Sequence, residues 1–309
     1  DQERLWRLRE SLTETIAVTL YTRAYAIGTN WSSQCEGQQG QKQQLTSTPT
    51  AADPQFVNAL RQANPGTNRV EYGWTIESVA ANGDILARKG SRRRIAHSGE
   101  YEAGRDGAAV PGSGAEAGMR VPCDSMSLLP NYYFVFGRTL NDPFDTCDTV
   151  RFYFNIDPAL VLESLTPLVT MLDAYSIPFE WKCPNHPGGF NRADTAVLYT
   201  RKQHYRPAAE IVLEVTEPFR TRLGSAAPLF TRPLARGISI GEDPMTGESF
   251  GQQRCRLIAE GIALAWHDKR RGKKQRVEAV VARFEQAGLD IHRPWLGPSG
   301  VDVFGLPAA

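Results

Sequence analysis

The segments that most limit the fold lie in the middle of the chain. Tyr132-Tyr133-Phe134-Val135-Phe136 and Val150-Arg151-Phe152-Tyr153-Phe154-Asn155 are aromatic and β-branched runs of strand length. Pro158 then starts a helix through Leu160, Leu162, Leu165, Val169 and Leu172. Strands at 179–182 and 196–199 follow, Pro207 opens another helix, and Gly237-Ile238-Ser239-Ile240 reads as a strand ahead of a turn. Two helices, at 250–266 and 277–284, close the chain on either side of the basic turn Lys269-Arg270-Arg271-Gly272-Lys273-Lys274.

The N-terminal third is less regular. Leu5, Leu8, Leu12, Ile16, Leu20 and Ala24 make the stripe of a core-facing helix, and residues 28–53 are Gln-, Gly- and Ser-rich, expected to form a mobile loop. Short strands at 72–76, 84–87 and 94–96, split by Asn82-Gly83 and Lys89-Gly90, read as a small antiparallel meander. Residues 104–118 are Gly/Ala-rich without period and are expected to form a second long loop. The fold class that follows is α+β, a mixed, largely antiparallel sheet with flanking helices in a single compact unit. Along the chain this gives an N-terminal helical region with a Gln-rich loop at 1–70, an α+β core at 71–270, and a C-terminal helix and tail at 271–309.

Composition removes several functions. Lys and Arg number 35 against 34 Asp and Glu, so nothing global draws the chain to nucleic acid or a membrane. No apolar run approaches the roughly 18 residues that cross a bilayer, and the opening Asp-Gln-Glu-Arg begins a charged segment, so a cytoplasmic location is expected. Five scattered cysteines, Cys35, Cys123, Cys147, Cys183 and Cys255, read as free thiols. Five dispersed histidines include no His-Glu-x-x-His, and neither a metal nor a cofactor is expected.

Phosphate loops, dinucleotide fingerprints and nucleophile elbows are absent from the sequence, so chemistry must be sought in clusters. Strand alternation sends Phe152 and Phe154 to one side and Arg151, Tyr153 and Asn155 to the other, a donor-rich face that would equally suit solvent. Lys182 shares a strand face with Glu180, ten residues before Arg192-Ala193-Asp194. Like charge and partial burial would make it a proton-abstracting base, whereas a Lys182–Glu180 pair would make it a surface residue. Ser249 suits a helix N-cap, with Arg254 one turn inside; the exposed amides would attract an anion, or capping alone explains the serine.

The ordered series Tyr132 to Gly137, Arg151 to Asn155, Pro178-Phe179-Glu180-Trp181-Lys182-Cys183-Pro184, Arg192-Ala193-Asp194, Leu198-Tyr199, Glu242-Asp243-Pro244, Ser249-Phe250-Gly251 and Arg254 resembles the HopA-type effector-like family, over about residues 72–266. Its members include type III secretion effectors of plant pathogens and stand-alone bacterial proteins encoded with peptide natural-product pathways. In class V lanthipeptide and thioamitide pathways such proteins resemble phosphoserine/phosphothreonine lyases that work after an aminoglycoside-phosphotransferase-like kinase. The resemblance implies phosphate elimination from a phosphorylated precursor peptide, with that kinase as a possible partner and with no cofactor or metal.

It further implies Lys182 as base, Arg151, Arg192 and Arg254 as phosphate clamps, and Asp194 as the orienter of an arginine. Tyr153, Asn155 and Tyr199 are expected to contact the substrate peptide or support the clamps. A general acid is required in principle, and His186 is expected ahead of His204. A non-catalytic reading, in which the protein binds a precursor or kinase through strand edges, remains the alternative.

Overall fold

The computed structural model describes residues 2–28, 51–104, 111–139, 148–244, 246–298 and 300–305, with side chains from residue 8 onward. Among these, the period-2 runs build two sheets and the apolar stripes build six helices. The smaller sheet contains β1 (Arg69–Val79), β2 (Ile85–Lys89), β3 (Arg92–Ala96), β4 (Tyr101–Ala103) and β5 (Glu116–Val121), in the order β3-β2-β1-β5-β4. The larger contains β6 (Asp124–Ser125), β7 (Tyr132–Phe136), β8 (Thr149–Phe154), β9 (Phe179–Pro184), β10 (Ala196–Arg201), β11 (Arg232–Ala235) and β12 (Ile238–Glu242), in the order β11-β12-β8-β10-β9-β7-β6. The described strand pairings are antiparallel, so the α+β class holds, with its strands divided between two sheets.

The helices are α1 (Gln2–Leu20), α2 (Pro54–Ala63), α3 (Pro158–Ala174), α4 (Tyr205–Thr216), α5 (Phe250–His267) and α6 (Lys273–Gln286). Local chemistry explains their starts. Pro158 occupies the first turn of α3 while the Asp157 carboxylate accepts the Leu160 N–H at 2.8 Å. Ser249 and Gln252 exchange side chain-to-backbone hydrogen bonds, both 3.2 Å, in a reciprocal cap on α5. That cap is worth about 1 kcal/mol.

One face of the large sheet carries Val150, Phe152, Phe154, Trp181 and Leu198, which pack with Leu60 of α2, Leu165 of α3 and Val212 of α4 in the main core. Each such side chain, once buried, contributes roughly 1.5–3 kcal/mol. The opposite face carries Tyr153 and Val197 and is covered by Tyr25, Phe250 and Cys255. Tyr25 closes a π-helical turn, Tyr21–Tyr25, that continues α1. The donor-rich face therefore lies under helices, and its alternation does not mark a solvent surface.

The second expected loop is shorter than its composition suggested. Glu116, Ala117 and Gly118 already belong to β5, and Gly118 is required there because Val70 and Tyr72 leave no room for a Cβ. Residues 105–110 of that loop, residues 29–50 of the Gln-rich segment, and the thiols Cys35 and Cys147 lie outside the described residues. Cys123, Cys183 and Cys255 are free. Among the described residues no helix is long and apolar enough to cross a membrane.

Candidate active site

Strand register builds the site. Ser239, Tyr153, Val197, Lys182 and Phe134 form one row across five strands, and Gly241, Arg151, Tyr199, Glu180 and Phe136 form the next. Cross-strand partners point to the same side. The face beneath α1 and α5 therefore brings Lys182 and Arg151 together although 31 positions separate them in the chain.

The Lys182 amine lies in a box of ring faces, 4.9 Å from the centroid of Tyr132, 5.4 Å from Tyr199 and 5.9 Å from Phe134. Among the described residues no hydrogen bond or ion pair holds it, and the expected alternative pair with Glu180 does not form. Burial, followed by the positive charges of Arg151 and Arg192, pulls its pKa down to about 8, against the pull of Asp194 and Asp243. The ring faces favour the cation, by roughly 0.5–2 kcal/mol. Burial and two guanidinium charges outweigh them, and about a tenth of the amines are neutral at pH 7.

Each arginine beside Lys182 is braced by a carboxylate. Arg151 meets Asp243 through Nε at 2.7 Å and Nη2 at 2.5 Å, and its guanidinium stacks 5.1 Å from the Tyr199 ring. Arg192 forks onto Asp194 through Nε at 2.8 Å and Nη2 at 3.0 Å, and Nη2 also donates to the Tyr21 hydroxyl at 3.1 Å. These bonds use Nε and Nη2 of both groups and leave Nη1 outside them. Burial pushes the Tyr132 and Tyr199 phenols up to about 12, so both remain O–H donors at neutral pH.

Other expected site residues lie elsewhere. Arg254 is fully buried; it donates to the Pro294 carbonyl at 2.9 Å, to the Leu296 carbonyl at 2.8 Å and to Gln253, and so ties α5 to the C-terminal segment. Burial lowers its pKa, although it remains charged at neutral pH. With those donors engaged by the protein, it is a structural brace where a phosphate clamp was expected. Asn155 donates to the Ala226 carbonyl at 2.9 Å and is wedged against Gly224, so it holds a loop rather than a peptide. Tyr153 is sealed beneath Phe250, with ring centroids 6.0 Å apart.

His186 caps a single turn at Pro187–Gly189, its Nδ1 accepting the Gly188 N–H at 2.9 Å. No hydrogen bond among the described residues connects it to Lys182, Arg151 or Arg192. His204 lies beside Gln203 at the start of α4. The Tyr132 and Tyr199 rings, by contrast, lie 4.9 Å and 5.4 Å from the Lys182 amine.

Sequence reasoning gave no role to Tyr132, Asp243 or Tyr21. Tyr132 could have been found, because alternation places it two residues from Phe134 on the Lys182 face. Asp243 stood within a recognised cluster without a partner, and nothing in the sequence connected Tyr21 to Arg192, 171 residues away in the bend before β10.

Comparison with known proteins agrees with this architecture. The model of the HopA1 effector protein family matches residues 123–296, more than half of the 309-residue chain. The solved structure of the effector protein from Pseudomonas syringae pv. tomato strain DC3000 shares the fold at a TM-score of 0.50 and 11% identity, covering 95% of this chain and 97% of that one. The effector protein from Pseudomonas syringae pv. syringae strain 61 superposes at a TM-score of 0.48 and 10% identity, with coverage of 96% and 98%. No curated protein matches the sequence. On the family match, which spans every strand of the site, the chain belongs to the HopA1 effector protein family.

Proposed function

We propose that the protein is a phosphoserine/phosphothreonine lyase, eliminating phosphate from a phosphorylated ribosomal precursor peptide to leave dehydroalanine or dehydrobutyrine, in lanthipeptide or thioamitide biosynthesis. The observation that carries this reading is an amine with a lowered pKa, unpaired among the described residues, beside two braced guanidinium groups under a helical cover. The neutral Lys182 amine takes the α-proton, the C–H electron pair becomes the Cα=Cβ bond, and the Cβ–O bond breaks with its pair leaving on phosphate. Arg151 and Arg192 offer their Nη1 edges to the phosphate or to the enolate that develops on the peptide carbonyl. Tyr132 or Tyr199 donates toward the leaving oxygen.

Asp194 and Asp243 hold the guanidinium groups in orientation, and they oppose ligand-free repulsion between the cations. A kinase that phosphorylates the precursor is the partner such chemistry requires. The test is incubation with phosphothreonine and phosphoserine peptides, reading loss of phosphoric acid by mass spectrometry. Dehydrobutyrine or dehydroalanine is the expected product. The family's description as effectors supports a second reading, binding without chemistry, which predicts intact phosphopeptide in complex with the protein.

A further inference from the structure

A groove of about 910 Å³ separates the two sheets, and it begins one row from the Lys182 amine. Glu180 and Phe136, cross-strand partners on the Lys182 face, line its near end. Phe136 stacks on Phe134 at 6.5 Å, so an aromatic floor runs from the amine into the groove. Arg69 and Arg94 of the small sheet also line it, with Arg69 reaching across to the Gly137 carbonyl beside Phe136.

The groove is lined by Arg69, Arg94 and Arg120 and by Glu100, Glu102 and Glu180, and these charges are unequally paired. On β3, Arg92 is neutralised by Glu71 at 2.9 Å and Arg93 by Glu77 at 2.8 Å, while Arg120 in the groove meets Glu102 at 3.4 Å. Arg94, half-buried on the same strand, meets no carboxylate among the described residues. Arg69 donates Nη1 to the Gly137 carbonyl at 3.1 Å and leaves a buried Nη2 without an acceptor. Buried donors are seldom left so, and an arriving carboxylate would supply what is missing. Glu180 at the near end disfavours the same charge close to Lys182.

Resting on the lyase reading, we infer that this groove takes the extended chain flanking the phosphorylated residue, and that Arg94 selects an acidic side chain on it. Two positions along β9 separate Glu180 from Lys182, about 7 Å at the rise of a strand, so the acidic residue falls more than about two residues from the phosphorylated one.

The experiment uses fluorescein-labelled phosphothreonine peptides with Asp, Ala or Lys placed singly two to five residues away on either side. Anisotropy gives Kd, and mass spectrometry of the same samples gives turnover. Wild type is expected to bind one Asp peptide, three or more residues out, about tenfold more tightly than its Ala counterpart. Arg94→Glu is expected to lose that preference and favour Lys at the same position, whereas Arg93→Glu on the opposite strand face keeps it. Equal affinity of wild type for all three series, or an Asp preference retained by Arg94→Glu, overturns the inference. Because affinity is read separately from turnover, intact phosphopeptide with the Arg94 preference present would remove the lyase reading and leave the groove.

Discussion

The Lys182 amine faces the Tyr132 ring at 4.9 Å, with no carboxylate to pair it among the described residues. A charge kept this way makes the fold less stable. The folded pKa of about 8 lies below the 10.5 of the unfolded chain, so between these values the unfolded state binds more protons and wild-type stability rises with pH. Lys182→Met is expected to be more stable than wild type at pH 7 by about 1–2 kcal/mol, a figure discounted because the amine is not fully sealed. Urea denaturation across pH 7–10.5 should show that gap closing as the pH rises.

The Arg151–Asp243 pair is largely buried, at 11% and 16% side-chain exposure. Losing either partner removes both contacts between the guanidinium and the carboxylate. Arg151→Met and Asp243→Asn are each expected to cost about 3 kcal/mol alone, and the double variant less than their sum. Denaturation of the two single variants and the double variant measures the coupling.

The arginines expected from sequence to act alike should separate. Arg254→Met leaves the Pro294 and Leu296 carbonyls unpaired and is expected to lower stability by about 2–4 kcal/mol while affinity for inorganic phosphate is unchanged in the folded protein. Arg192→Met should instead weaken phosphate binding about tenfold or more, as calorimetry would show.

Proton donation should follow the tyrosines. Tyr132→Phe keeps the ring beneath Lys182 but removes the O–H, and under the lyase reading kcat is expected to fall about tenfold to a hundredfold. His186→Ala should keep kcat close to wild type, because its Nδ1 caps a turn.

Much of the large sheet was legible, because Arg151 to Phe154 and Phe179 to Lys182 have a clean two-residue period and every other side chain meets the core. Alternation correctly placed Arg151 and Lys182 on exposed-type positions, but it could not reveal the helices that cover them. That cover depends on Tyr25 and Phe250, which are remote in sequence. Arg254 misled for a related reason: buried guanidinium groups paired to backbone carbonyls look the same in sequence as ligand clamps. Residues 116–118 read as loop because β5 uses Ala and Gly where Val70 and Tyr72 crowd the neighbouring strand.

The most direct test of Lys182 as base is the pH dependence of elimination from a phosphothreonine peptide, followed by mass spectrometry for wild type and Lys182→Ala. Wild-type kcat/KM is expected to climb with pH and level off above about 8, with Lys182→Ala reduced about 10²- to 10⁴-fold throughout. Elimination by Lys182→Ala at the wild-type rate would contradict the account.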